Sequence, residues 1–319
     1  YSFLNIVIKK KNIQIVILSV TFSILFYYFR DVSGIINAEN IPGSLGGEGI
    51  SDLYRYYHYY QDNTINSISA MGIFNSALYH WIVFFFKIIG VSFESFLFLL
   101  ILSYYIVFAK LSNGFIGVKK WYIISFVFFI LSYWLIPLAT VAVRQGLAIL
   151  ILAAFWPFLE KKKSYFLEIF IILIVANIHT TALSLLPLII FIRVFRRRLI
   201  LLDFILFITL LLYILNFWVS LNMLMLSLLD YVNIDKRSFM NPDHQYKLGF
   251  SSAKAAAFLI PVVLYRAPLY LNYIRFKQLE GMYLFYVYFG MLAMFLSGLA
   301  HYGRIFLYCW VFSPIFIAS

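Results

Sequence analysis

The chain has 319 residues, of which 64% are hydrophobic and only 12% charged, and its mean hydropathy is +0.91. A soluble domain carries about 25% charged residues, so the composition excludes a water-soluble fold and implies a polytopic integral membrane protein. The net charge of +12 is no nucleic-acid footprint, because the basic residues sit in short clusters between apolar runs, where the positive-inside rule places them. The apolar runs are continuous and lack the period-2 alternation of a membrane barrel, so the expected fold class is all-α. Cys309 stands alone, which rules out an internal disulfide and disfavours a metal site built on it. No cleavable signal peptide, internal repeat or low-complexity linker is visible. The chain starts at Tyr1 and stops inside an apolar run at Ser319, so native termini are expected beyond both ends.

Lys9-Lys10-Lys11 precede the run Ile13–Phe29 and set the N-terminal side as cytoplasmic. The first span then exits to an outer loop, 30–70, with Asp31, Glu39, Glu48, Asp52 and Asp62 and a glycine-rich middle. Within it, Asp52 to Tyr60 concentrates tyrosines, as an interfacial aromatic belt or a sugar platform does. Gly72–Gly90 is long enough to span but is interrupted by His80 and Lys87. Were it a span, the basic clusters at Lys110/Lys119/Lys120, Lys161–Lys163 and Arg193/Arg196–Arg198 would all fall outside, so it is read as a re-entrant or interfacial helix.

The following spans are Phe93–Ala109, Trp121–Pro137, Gln145–Leu159, Tyr165–Ile178, Thr180–Ile192 and Leu199–Trp218. Tyr165–Ile178 and Thr180–Ile192 are short, covering about 20 Å of an apolar core of about 30 Å. The tip at Asn177–Thr181 is therefore expected to be recessed and to line a cavity. A second outer loop, 219–251, holds Lys236 and Arg237. Ser252–Ile274, with bends expected at Pro261 and Pro268, Met282–Leu299 and Ile305–Ser319 complete about ten transmembrane helices plus the one re-entrant helix, in a single transmembrane domain over 1–319. Fifteen of the 25 Lys/Arg fall in the five cytoplasmic segments and eight of the 13 Asp/Glu in the two outer loops, which supports this topology over its inverse.

In that topology Arg144, His179, His301 and Arg304 share the outer face, each at or just before the N-terminal end of an inward-running helix. Such ends carry unpaired N–H groups and partial positive charge and suit anions. Two arginines there, with Lys236 and Arg237 in the loop, imply an anionic ligand reached from outside. A phosphate or diphosphate fits, because guanidinium forks bind it bidentately. Each residue also has a plainer reading. Arg144 and Arg304 can be boundary arginines that snorkel to headgroups, His179 and His301 packing histidines, and Asp52 a solvated loop acid. No Walker loop, G-x-S-x-G, H-E-x-x-H or Cys/His metal set occurs.

Four short patterns in order, D-L-Y-x-Y-Y (Asp52–Tyr57), R-Q-x-x-A (Arg144–Ala148), H-T-T-A-L (His179–Leu183) and R-x-x-x-Y (Arg304–Tyr308), give a chain that resembles the EpsG-like branch of the Wzy-type polysaccharide polymerases. The resemblance implies a GT-C-like membrane glycosyltransferase in the bacterial inner membrane with its active site facing the periplasm or outside. It would join undecaprenyl-diphosphate-linked oligosaccharides, as donor and acceptor, into O-antigen, capsule or exopolysaccharide. Neither nucleotide sugar nor metal cofactor is expected, and a chain-length regulator is a candidate partner besides the bilayer itself. Arg144 and Arg304 would hold the donor diphosphate, with Gln145, Tyr54, Arg55, Lys236 and Arg237 as further substrate-binding candidates. His179, His301 or Asp52 would be the base. A glycan ligase shares this chemistry; a flippase of lipid-linked sugars is the reading from a different class, and the chain lacks the pseudo-symmetric repeats a flippase should have. The repeat unit, the anomeric outcome, chain-length control and oligomeric state stay open.

Overall fold

The computed structural model describes residues 20–21, 23–24, 56–69, 76–115, 142–162, 164–231, 252–270, 280–297 and 302–318, and every element among them is helical. The chain gathers into two compact units, Tyr1–Leu183 and Ser184–Ser319.

The first unit holds a helical stretch at 56–62, α1 (Ile65–Ser69), α2 (Ala77–Ile88), α3 (Phe93–Phe115), α4 (Val143–Lys162) and α5 (Tyr165–Ile178). At 1.5 Å per residue α2 is about 18 Å long, well short of an apolar core of about 30 Å. It ends where Gly90 takes a positive φ of 77°, a conformation that costs glycine little. Helix α3 follows at once, and its segment Phe93–Leu111 is, among the described residues, the helix long and apolar enough to cross a membrane by itself. Helix α4 packs between α3 and α5, and α5 also touches α2.

Helix α5 shows why these helices are apolar all round. Ile171, Ile172, Val175, Ala176 and Ile178 are buried, while Phe166, Ile169, Phe170 and Leu173 are exposed. Water would penalise so large an apolar face; a bilayer would solvate it. Helix α5 has the span expected from the sequence, Tyr165–Ile178. The return does not start as an α-helix: a 3₁₀ turn at Thr180–Ser184 leads into α6 (Leu185–Phe195).

The second unit comprises α6, α7 (Leu199–Ile214), α8 (Phe217–Tyr231), α9 (Ser252–Tyr270), α10 (Glu280–Phe295), α11 (Tyr302–Trp310) and α12 (Ser313–Ala318). Its centre is α10, which contacts α6, α7, α8, α9 and α11. Accordingly its first half, Gly281–Val287, is buried on every face, and Phe289, Gly290, Ala293 and Met294 are buried further along. Aromatic packing fills the space around it: Phe258 stacks on Tyr286 at 5.3 Å and 11°, and Tyr308 on Phe289 at 5.0 Å and 18°. Gly290 is required at its place, since a Cβ there would run into the Phe258 ring.

Two departures from the sequence expectation have local causes. The expected span Leu199–Trp218 breaks at Leu215-Asn216, and Leu199–Ile214 meets Phe217–Leu224 at a bend of 76°. Asn216 sits at φ 57°, the left-handed region that asparagine tolerates better than most residues and that ends helices. The Trp218 indole then donates to the Thr209 carbonyl at 3.0 Å and the Asn222 amide to Phe295 O at 2.7 Å, which hold α8 in its new direction. The last expected span is likewise split, into α11 and α12. By contrast, α9 runs on as helix through both Pro261 and Pro268.

One partly buried ion pair ties α7 to α9. Arg266 Nε lies 3.1 Å from both Asp203 oxygens, and its Nη2 also donates to Asp203 Oδ2. This fork-to-fork geometry is the favourable one for arginine and carboxylate.

Candidate functional site

The first turn of α4 carries Val143, Arg144 and Gln145, and the backbone locks there through Gly146 N–H to Ala142 O at 2.7 Å. Val143 and Gln145 are fully buried, which leaves Arg144 half-buried beside them. A guanidinium at a helix N-terminus opposes the helix dipole, so its surroundings decide what it is for.

Arg144 Nη1 donates to Ser76 Oγ at a long 3.4 Å, and its Cζ lies 5.7 Å from the centroid of the Tyr56 ring, within cation–π range. The groups that act on it electrostatically are the phenols of Tyr56, Tyr79 and Tyr59, with no carboxylate among the described residues. Its Nε is buried and has no hydrogen-bond partner among the described residues. Ser76, which accepts from it, is buried and has φ 61°. Serine seldom takes that conformation, and such strain often accompanies a working site.

Two buried phenols belong to this part of the unit, Tyr79 acting on Arg144 directly and Tyr104 linked to it through Tyr56 and Tyr79. Tyr79, from α2, is 0% exposed and Tyr104, from α3, is 3% exposed, and neither hydroxyl has a partner among the described residues. Tyr56 packs edge-on against Tyr79, with ring centroids 6.0 Å apart, and Tyr104 interacts electrostatically with both. A buried donor left unpaired costs on the order of 1–3 kcal/mol. Two such phenols and one such guanidinium N–H therefore leave three buried donors without a partner among the described residues.

Beside this cluster, His80 Nδ1 meets Asn63 Oδ1 at 3.1 Å, and both residues are buried. The sequence registered His80 only as an interruption of an apolar run. Ser76, Tyr79, Tyr104 and Asn63 gave no signal at all, because single hydroxyls and amides inside hydrophobic stretches look like filler until the fold faces them toward one point.

The tyrosine-rich stretch is resolved differently from a uniform belt. Over 56–62 it is helical, with Tyr56 and Tyr60 buried and Tyr59 exposed. Tyr60 donates to Val91 O and packs on Phe93 at 5.5 Å. Thus Tyr56, inside the first sequence pattern, meets Arg144, the head of the second.

His179, head of the third pattern, caps α5 in an extended conformation, φ −150° and ψ 119°. It is 8% exposed, and its Nδ1 lies 2.6 Å from Thr181 Oγ1. It thus stands at a helix break, as expected of the tip. Arg304 lies in the first turn of α11, and Tyr308, which ends the fourth pattern, is fully buried. Asp52, Tyr54, Arg55, Lys236, Arg237 and His301 lie outside the described residues.

Helices apolar on exposed and buried faces alike, with a polar cluster enclosed among those of the first unit, define the class: an all-helical membrane protein. The family follows from comparison with known proteins: the EpsG family model matches residues 45–319. The chain belongs to the EpsG family, a Wzy-like polysaccharide polymerase family. No curated protein and no solved structure matches it.

Proposed function

We propose that this protein is a membrane glycosyltransferase that polymerises polyprenyl-diphosphate-linked oligosaccharide repeat units on the outer side of a bacterial inner membrane. About ten spans and one re-entrant helix, α2, in a GT-C-like arrangement would carry the site. The observation that supports this best is Arg144: half-buried, without a carboxylate partner among the described residues, beside the phenols of Tyr56 and Tyr79, with the buried hydroxyl of Tyr104 adjoining those two. Such donors suit the oxygens of a leaving diphosphate, where preorganised hydrogen bonds stabilise developing charge without moving.

In the reaction, the acceptor hydroxyl oxygen forms a bond to the anomeric carbon of the donor glycan. The bond from that carbon to the diphosphate oxygen breaks, and its electron pair leaves with the diphosphate. The hydroxyl proton passes to a base, for which His179, His301 and Asp52 are the candidates from the sequence; Arg304 keeps its assignment to the diphosphate on the same ground. The test is incubation of the purified protein in nanodiscs with a synthetic undecaprenyl-diphosphate-linked repeat unit. A ladder of products differing by one repeat is expected; intact, folded protein that yields only single-unit transfer to another acceptor, or no transfer, overturns the proposal.

A further inference from the structure

The first unit holds a broadly open cavity of about 590 Å³ between the end of α2 and the turn before α1, lined by Asn63, Thr64, Asn66, Phe84 and Lys87 among others. Its volume lies within the range of small-ligand sites, about 300–1,000 Å³.

Its chemistry is mixed in a particular way. Two carboxamides and a hydroxyl can each donate and accept, as sugar hydroxyls require. The Phe84 ring supplies an apolar wall of the kind on which the C–H face of a pyranose rests. Lys87 adds a cation: its ammonium donates to Gln61 O and to Asn63 O at 3.2 Å. Both partners are neutral carbonyls, so no described carboxylate neutralises it, and the third of its N–H donors remains for a ligand. Asn63, a lining residue, is 5% exposed, and its buried Nδ2 has no partner among the described residues, so one amide donor of this residue is still unspent.

The cavity is also joined to the arginine cluster. Asn63 Oδ1 contacts His80 Nδ1 at 3.1 Å, and His80 lies within electrostatic range of Arg144. The residue that lines the cavity thus also holds a side chain beside the proposed reacting centre.

We infer that this cavity is a glycan-binding subsite, in which Asn63, Asn66 and Lys87 hold a sugar of the acceptor chain by its hydroxyls, with any carboxylate substituent on Lys87. The inference deepens the polymerase reading, which supplies the identity of the acceptor, but the binding it asserts does not require that reaction.

The experiment uses the full chain in phosphatidylcholine nanodiscs and, as probe, repeat-unit oligosaccharides released by partial hydrolysis of the producing strain's own polysaccharide. Binding is measured by calorimetry and by saturation-transfer NMR. Asn66 is exposed, so Asn66→Ala tests the site without a buried change. It is expected to weaken binding roughly 3- to 10-fold, the loss of one ordinary hydrogen bond. Lys87→Gln is expected to weaken binding of acidic fragments more than neutral ones. Unaltered affinity in both Asn66→Ala and Lys87→Gln overturns the subsite. So does displacement of the fragment by phosphatidylglycerol in the nanodisc, which would make Lys87 a lipid-headgroup contact. Fragment binding that the variants weaken, in a protein that yields no product ladder, sinks the polymerase reading and leaves the subsite standing. A normal ladder with no variant effect on binding does the reverse.

Discussion

Arg144→Lys separates a shaped anion site from a mere positive charge. Lysine keeps the charge but removes the buried Nε and the planar fork. The internal contacts at stake are a 3.4 Å bond to Ser76, near the limit of what counts as one, a side-chain hydrogen bond with Tyr56, and a cation–π contact with the same ring worth about 0.5–2 kcal/mol. Lysine can keep part of each, so stability should fall by about 1–3 kcal/mol. Hydrogen bonds to charged groups contribute about 1.5–3 kcal/mol each. Loss of one such bond to the leaving diphosphate slows the reaction roughly 10- to 150-fold. Arg144→Ala, which removes a buried charge partner altogether, costs about 2–5 kcal/mol, or roughly 30- to several-thousand-fold. The assay is the initial rate of chain extension on a lipid-linked repeat unit, with thermal unfolding of the same nanodisc samples measured in parallel. Wild-type rate in Arg144→Lys refutes the fork argument, and a rate loss that merely tracks a loss of folded protein refutes the site altogether.

Tyr79→Phe and Tyr104→Phe each delete a buried hydroxyl without a partner among the described residues, so melting should hold or rise; KM for the lipid-linked donor should increase roughly 3- to 10-fold per hydroxyl, and unchanged kinetics in both variants would remove the phenols from the site. Gly290→Ala presses a methyl into the Phe258 ring and should cost about 1–3 kcal/mol of stability, detected as a lower melting temperature; Phe258→Leu in the same chain should recover part of it. Arg266→Met alone removes the arginine fork from a partly exposed Asp203 and should destabilise by about 1–3 kcal/mol, whereas Asp203→Leu with Arg266→Met should lose less; equal losses in the single and double variants would show that the pair does more than balance its own charges.

What the sequence determined by itself follows from solvent. Continuous apolar runs need a lipid environment, and in lipid the backbone must satisfy its own hydrogen bonds, so helices follow from composition. Helix α5 has the bounds hydropathy gives it because Lys161–Lys163 and the polar Asn177–Thr181 tip punctuate it on both sides. Arg144 and His179 were legible for the same reason: a charge or a histidine amid apolar residues needs a partner. The break at Asn216 was not legible, because one asparagine in a run of leucines is a weak stop until tertiary contacts such as Trp218 to Thr209 hold the bend. Nor was the rest of the cluster. Tyr56, Tyr79, Tyr104 and Arg144 belong to four segments far apart in sequence, and hydropathy ranks each residue without regard to which way it faces. Helix packing in the first unit chose the faces, and so decided that Tyr56 and Tyr79 meet the arginine, with Tyr104 behind them, instead of meeting lipid.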